Sequence, residues 1–339
     1  MKSDQIIEIL QKINTVRIAV YGDFCLDAYW IMDPRGSEIS VETGLQAEAV
    51  KHHYYSPGGA SNIVANLSAL KPAGIKIIGV IGDDIFGREL TSQLVRLNVD
   101  TSSLIIQKEN FSTGTFVKKY LEDEEEPRLD FGVFNERSEA TDNELLENLR
   151  TGLQNYDALI FNQQVPGSIP NKEFIDEANK LFKEFNDRIV LLDSRHYNSK
   201  FGNVFLKTND AEIARLNGID VNPNDIIPIK DVEQYGKNIY EQSMKPVFIT
   251  CGSRGIVTID SEGIHEVSGI KLSTKLDSVG AGDTTISALA LSLAAGAKPG
   301  DAAIFANFAA AVTVQKLFTT GTASGEEILE IHAKTQCIA

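Results

Sequence analysis

A three-layer α/β fold, with a mostly parallel central sheet between helices and a small β-sheet beside it, is predicted by two patterns in the 339-residue sequence. Short β-rich apolar runs alternate with helical stretches, and that alternation builds parallel sheets covered on both faces. Segments 32–57 and 112–135 depart from this rule and alternate with a period of two, as in Thr115-Phe116-Val117-Lys118-Lys119-Tyr120, which predicts strands of a small antiparallel accessory sheet.

Taken in order, residues 4–13 alternate polar and apolar positions at helical spacing, and Arg17 to Tyr21 reads as a short buried strand ending at Gly22-Asp23. Further strands are predicted at Ile75–Ile81, Ala158–Phe161, Ile189–Leu192, Val204–Leu206, Val247–Thr250 and Gly255–Ile259, with a helix over Lys172–Asn186 among them. The acidic run Glu122 to Glu126 reads as the solvated tip of a hairpin. No repeat, low-complexity tract or linker marks a second domain, so 1–339 is read as a single domain with the 32–57 and 112–135 segments as its lid.

Composition excludes several classes. With 42% hydrophobic and 23% charged residues the chain is neither disordered nor collagen-like. The longest apolar stretch, Ala302 to Val314, is interrupted by Asn307 and Thr313 and is too short to span a bilayer. The N-terminus lacks the pattern of a secretory signal, so the expected location is the cytoplasm. Three cysteines (Cys25, Cys251 and Cys337) at unrelated spacings suggest neither a disulfide framework nor a zinc site. A net charge of −15 argues against nucleic acid as a partner. An anionic substrate therefore needs local positive contacts, with a divalent cation as the obvious helper.

The most informative stretch is Asp277-Ser278-Val279-Gly280-Ala281-Gly282-Asp283-Thr284-Thr285, which precedes a small-residue helix from Ile286 to Ala295. Small residues at a helix start leave backbone N–H groups unobstructed beside the positive end of the helix dipole, and together these form an anion hole. A carboxylate there can accept the proton of an attacking hydroxyl while the N–H groups meet the charge of a transferring phosphoryl group. The alternative reading makes Asp283 a helix N-cap in a glycine turn. Neither a G-x-x-x-x-G-K-[ST] loop nor a complete dinucleotide-binding glycine turn is present.

Five segments, in order and spanning nearly the whole chain, together resemble the PfkB, or ribokinase-like, carbohydrate kinase family. They are Gly22-Asp23-x-x-Leu26-Asp27, Pro57-Gly58-Gly59-Ala60-x-Asn62, Asn209-x-x-Glu212, Thr250-Cys251-Gly252-Ser253-Arg254-Gly255, and Asp277 to Asp283. The resemblance implies an α/β/α ribokinase-like domain with a β-sheet lid, using ATP and Mg²⁺ to phosphorylate a sugar. It places Asp27, Gly58, Gly59 and Asn62 at the sugar, Asn209 and Glu212 around Mg²⁺ largely through water, and Thr250, Gly252, Gly255 and Asn307 at the nucleotide. Gly280, Ala281 and Gly282 would form the anion hole with Asp283 as base. Asp277 and Ser324 would flank a monovalent cation such as K⁺. On spacing alone, Asn209 and Glu212 read equally as a surface pair on a helix.

Within the family the chain is most similar to the heptose-7-phosphate kinase branch. The residues that carry this are Leu26-Asp27-x-Tyr29-Trp30, Arg128-Leu129-Asp130-Phe131 and Lys316 to Ser324. Arg128, Lys118 and Arg195 are candidates for an existing phosphate, since cationic side chains match phosphate oxygens; each reads equally as a solvated charge. Val41-Glu42-Thr43-Gly44-Leu45 replaces the proline-containing lid segment usual in that branch, and no fused nucleotidyltransferase domain follows, so the expectation is a stand-alone kinase. A kinase of an unphosphorylated sugar or nucleoside, and a non-catalytic sugar-binding regulator, are the competing readings. His52 and His53 are adjacent in a strand pattern, so they point to opposite faces and are read as lid packing, not as a metal pair. The lid strands are expected to pair in a homodimer.

Overall fold

A computed structural model describes residues 1–336 apart from 123, 167, 169, 170, 223, 224, 318 and 319. Cys337 and two residues of the 316–324 segment, Phe318 and Thr319, therefore lie outside the described residues, as does Asp123 of the acidic run. The chain opens with α1 (Ser3–Ile13), β1 (Arg17–Gly22), β2 (Phe24–Met32), β3 (Val50–Gly59), α2 (Ala60–Ala69), β4 (Gly74–Gly82), α3 (Ile85–Arg96) and β5 (Asp100–Gln107). It continues through β6 (Thr115–Leu121), β7 (Glu124–Phe131), α4 (Glu139–Asn155), β8 (Ala158–Gln163), α5 (Lys172–Glu184), β9 (Ile189–Ser194), β10 (Phe205–Asn209), α6 (Asp210–Leu216) and α7 (Ile229–Ser243). It closes with β11 (Val247–Thr250), β12 (Gly255–Asp260), β13 (Gly263–Ser268), α8 (Ala281–Ala294), α9 (Pro299–Thr313) and α10 (Gly325–Gln336).

Nine strands form one sheet in the order β13-β12-β11-β10-β9-β8-β1-β4-β5. The pairings from β5 across to β11 are parallel; only β11–β12 and β12–β13 are antiparallel. Both faces are buried, which is why these strands read as continuous apolar runs. Along β1, Ile18 and Val20 join a core with residues of α1, α2, α8, α9 and α10, while Ala19 and Tyr21 join a second core with α4 and α5. Successive side chains of a strand point to opposite faces, so the two cores are the two interlayer spaces of an α/β/α sandwich.

A second, four-stranded sheet has the order β3-β2-β6-β7. Its strands refine the sequence reading. Residues 33–49 are not strand but a 3-10 turn at Pro34–Gly36 and one isolated bridge between Ile39 and Gln46. Pro34 and Gly36 there break any ladder. The missing strand is β2, read only as sequence following β1; it leaves the central sheet at Asp23 and pairs antiparallel with β3 and parallel with β6. Asp23 fixes that departure. Its Oδ2 accepts bonds from the backbone N–H groups of Gln164 and Val165, both at 2.7 Å, and from Ser168 Oγ at 3.0 Å, tying the β1–β2 corner to the segment after β8. The edge strands β5 and β13 also escaped prediction, their outer faces being half exposed and polar. Both described cysteines, Cys25 and Cys251, are buried and free.

Candidate active site

The carboxyl ends of β1, β8, β9, β10 and β11 converge on the N-terminus of α8, the usual position of a ligand crevice in an open α/β sheet. Gly280, in the left-handed conformation with φ of 78°, is the residue that caps α8, and Asp283 sits in the helix's first turn without capping it. Ala281 N–H turns back to Ser278 O at 3.2 Å and Thr284 N–H bonds Gly280 O at 3.0 Å. That leaves the N–H groups of Gly282 and Asp283 heading the helix.

The Asp283 carboxylate is engaged from the far side of the sequence: Asn62 Nδ2 donates to Asp283 Oδ2 at 2.6 Å. Burial raises its pKa from an ordinary 3.8 to about 6, Asp193 and Asp27 adding to the rise while the Asn62 bond and Lys207 pull it down. Behind it runs a buried chain of polar contacts that spacing did not reveal. Asn66 Nδ2 donates to Asn62 O at 2.9 Å, Thr284 Oγ1 donates to Asn66 Oδ1 at 2.7 Å, and the Thr284 and Thr313 hydroxyls lie 3.0 Å apart. This chain fixes α2, α8 and α9 to one another and so sets the angle at which Asn62 meets Asp283.

Asp27, on β2, lies on the cleft-facing side of the small sheet and bonds Lys118 Nζ at 3.1 Å; the ammonium also reaches Tyr29 Oη at 3.2 Å. Burial pushes the Asp27 carboxyl upward, with Lys118 opposing. Gly58 is required beside it, because a Cβ there would stand 2.9 Å from Asp27 Oδ1. Gly59 follows in the same strand and N-caps α2, whose third residue is Asn62. Register puts Lys118 opposite Tyr29, on the face that carries Asp27. Arg128 shares this aromatic face, stacking over Phe116 at 4.6 Å and gripping Asp130 with bonds of 2.5 and 2.7 Å. Lys118 and Arg128 are thus each paired to a carboxylate. Arg195 stays exposed beyond the end of β9.

Thr250, Gly252, Gly255 and Asn307 come together around a cavity of about 320 Å³ that also reaches Ala281 and Gly282. Its remaining wall is largely apolar, with Ile256, Ile270, Leu272, Leu276 and Val314. Asn307 is held by a bond from its Nδ2 to Ser268 O at 3.0 Å.

Asn209 and Glu212 form a capping box at the start of α6: Glu212 N–H donates to Asn209 Oδ1 at 2.8 Å, and Glu212 Oε2 accepts from Asn209 N–H at 3.1 Å and Thr208 Oγ1 at 3.0 Å. The surface-pair reading is thereby replaced by a rigid turn at the carboxyl edge of the sheet. Among the described residues no group of three His, Cys, Asp or Glu side chains is disposed to hold a metal directly. This donor set fits a cation that keeps most of its waters, not a closed protein cage. Asp277 Oδ1 accepts from Val279 N–H at 3.0 Å, and Ser324 Oγ accepts from Glu327 N–H at 3.2 Å to start α10. Each side chain thus takes part in a local turn.

One cationic group was missed in the sequence. Lys207, on β10 and two residues before Asn209, is buried and paired with Asp193 at 2.8 Å. A Cβ on Gly282 would stand 3.2 Å from its Nζ. A lysine directly after the apolar run Val204-Phe205-Leu206 and two residues before Asn209 was the available signal.

The fold is the ribokinase-like α/β fold. The description "pfkB family carbohydrate kinase" matches residues 17–324, and the chain belongs to that family, whose members are phosphotransferases acting on a hydroxyl group. Among its relatives, Bifunctional protein HldE of Wolinella succinogenes is 30% identical over 94% of this chain and 65% of that protein. Bifunctional protein HldE of Aliarcobacter butzleri is 29% identical over 93% of this chain and 64% of its own length. The chain therefore spans slightly less than two thirds of these relatives. In structure it is similar to phosphofructokinase-2 from Escherichia coli in complex with potassium (TM-score 0.74, 21% identity, 95% of this chain and 100% of that one). It is also similar to ribokinase from Thermotoga maritima (TM-score 0.71, 20% identity, 94% and 99%). At these identities the two structures bear on the fold alone, the ribokinase-like α/β architecture. Among the described residues no helix is long and apolar enough to cross a membrane.

Proposed function

We propose that the chain transfers the γ-phosphate of ATP to a hydroxyl of a sugar phosphate, heptose 7-phosphate being the preferred acceptor, with Asp283 as the base. The observation that carries this reading is the 2.6 Å bond between Asn62 and Asp283. It joins the acceptor motif of the N-terminal third to the anion-binding turn of the C-terminal third at one point. Asp27 and Asn62 orient the acceptor, and the Asp283 carboxylate takes the hydroxyl proton as its oxygen attacks phosphorus. The N–H groups at the head of α8 receive the charge on the transferring oxygens. The apolar cavity beside Thr250 and Asn307 suits a purine, and its continuity with Gly282 aims the polyphosphate at the turn. Asn209 and Glu212 would hold hydrated Mg²⁺, which supplies charge neutralisation on the β- and γ-oxygens. Closure of the small sheet over the acceptor would exclude water and suppress ATP hydrolysis.

Two observations favour a phosphorylated acceptor: Lys118 and Arg128 stand on the same face of the small sheet as Asp27, and the HldE relatives cover almost the whole chain. ADP release should be stimulated at least about tenfold more, in kcat/KM, by heptose 7-phosphate than by ribose, fructose or adenosine, a gap of about 1.4 kcal/mol. Preference for an unphosphorylated sugar or for adenosine in this panel would transfer the assignment to that substrate class. ATP turnover unaffected by every sugar would favour a regulator.

We also propose that the small sheet pairs two copies, since β3 and β7 are open edges with Val50, Tyr54, Leu129 and Phe131 exposed along them. Sedimentation equilibrium should show a dimer; monomer alone at high concentration excludes the pairing.

A further inference from the structure

Arg254 closes the 3-10 turn between β11 and β12, beside the nucleotide cavity, and the reaction as derived so far gives its side chain no part. We propose that Arg254 is a positioning residue that yokes the nucleotide loop to the head of α6, and so sets the spacing between the polyphosphate and the residues that would hold hydrated Mg²⁺. The inference rests on the reading of Asn209 and Glu212 as the holders of that cation.

One guanidinium ties three segments together. Nη2 donates to Asp210 Oδ2, Nη1 to Ile227 O at 2.5 Å and Nε to Cys251 O at 3.4 Å. Asp210 is the first residue of α6, between Asn209, which caps the helix, and Glu212, which completes the capping box. Ile227 lies two residues before α7 begins. A planar fork of five N–H donors suits such a junction, whereas the ammonium of a lysine lacks that fixed geometry.

The two turns that Arg254 joins are each closed without its side chain. In the nucleotide loop Cys251 N–H donates to Gly255 O at 2.8 Å, Arg254 N–H to Cys251 O at 3.2 Å and Gly269 N–H to Arg254 O at 3.0 Å, all through main-chain atoms. α6 has its own cap in the Asn209–Glu212 box. What the guanidinium adds is their placement relative to each other.

A first tie between them runs through the sheet. Asn209 and Thr250 are paired in the parallel register of β10 and β11, Thr250 Oγ1 donates to Thr208 O at 3.2 Å, and Thr208 Oγ1 donates to Glu212 Oε2 at 3.0 Å. Arg254 and Asp210 make the second tie, with 29% and 19% of their side chains exposed. An ion pair partly open to solvent adds little stability. Anchored by two carbonyls as well, it restricts geometry instead. That restriction matters because Mg²⁺ demands near-ideal octahedral coordination. Phosphates gripped at the loop and a cation gripped at α6 strengthen each other's binding only while the two turns keep their spacing.

The test measures that mutual strengthening on the whole chain, by calorimetry, as the ratio of ADP dissociation constants in EDTA and in MgCl₂. The ratio is a coupling between two sites and involves no acceptor. It is compared in wild type, Arg254→Met, Asp210→Asn and the double variant Asp210→Asn/Arg254→Met, which leaves no charge unpaired. In all three variants the ratio should fall about tenfold, as for residues that carry coupling without touching either ligand. ADP affinity in EDTA should stay within about threefold of wild type. The double variant should lose no more than either single one, because each single change breaks the same tie. It also decides the matter where a single variant fails to fold. A fold merely loosened by the substitutions would weaken ADP equally with and without Mg²⁺; that result, a ratio within about twofold of wild type, overturns the proposal. Losses that multiply to about 100-fold in the double variant overturn it too, since they show two independent effects. A wild type whose ADP affinity is indifferent to Mg²⁺ removes Asn209 and Glu212 as holders of the cation, and the proposal with them. Enhancement present in wild type and intact in the variants removes the role of Arg254 alone, so the two failures are distinguishable.

Discussion

Replacing Asp283 by Asn is expected to lower kcat by about 10⁴-fold, the upper range for loss of a positioned base, while MgATP affinity by calorimetry stays within about threefold. The nucleotide cavity is lined by Gly282 and Thr285 on either side of Asp283 but not by Asp283 itself. An asparagine keeps an oxygen acceptor for Asn62 and so preserves the geometry of the Asn62–Asp283 contact. Turnover within tenfold of wild type would sink the assignment of Asp283 as base.

The same substitution should stabilise the protein, and the sign follows from the carboxyl's surroundings. Burial lifts the Asp283 pKa from 3.8 to about 6 in the folded chain. Above pH 6 the group is ionised folded and unfolded alike, and holding that charge in the cleft costs about 3 kcal/mol. Between pH 6 and 3.8 the folded form takes up a proton first and the penalty fades; below 3.8 it is gone. Asp283→Asn should therefore raise the denaturant midpoint at pH 8 and show no gain at pH 3.5. Equal midpoints at pH 8 would show that the carboxylate is not held against a desolvation cost. In the active protein the same shift places the acidic limb of the kcat/KM profile near pH 6, with activity full above and falling about tenfold per pH unit below.

How much of this could be read from the chain follows from what each signal measures. Central strands such as β1, β8 and β9 are buried on both faces, so Ile18 to Tyr21 or Leu159 to Phe161 announce themselves as apolar runs. The edge strands β5 and β13 carry half-exposed, polar faces and give no such run. β2 reads Phe-Cys-Leu-Asp-Ala-Tyr-Trp-Ile-Met, apolar almost throughout, so its change of sheet at Asp23 left no mark in periodicity. Most candidate site residues were named through the resemblance of five ordered segments to one family, and only Gly280 to Asp283 also through local geometry, small residues at a helix start freeing its N–H groups. Asn66, Thr313, Asp193 and Lys207 were not, because their meaning lies in partners 14 to 218 residues away. The Asn62–Asp283 contact, 221 residues apart, belongs to the same class and became visible only through the fold.

The second large effect is expected at Asp27. In the proposed mechanism its carboxylate accepts hydrogen bonds from acceptor hydroxyls, and Lys118 holds it in place through Oδ2 at 3.1 Å. Asp27→Asn keeps the shape but turns one acceptor oxygen into a donor, which faces both the ammonium and the hydroxyls with like polarity. A site built around buried hydrogen bonds discriminates steeply once one partner is wrong. The kcat/KM for the sugar should fall by about 10³-fold, with the KM for ATP unchanged within about threefold, because the nucleotide cavity is lined by none of β2. Asp27→Asn/Lys118→Met should restore stability lost by the single variant without restoring sugar turnover, since it removes the unpaired charge and leaves the hydroxyls without their acceptor. Recovery of turnover in the double variant would show that Lys118, left unpaired, and not the missing carboxylate, was the cause of the loss.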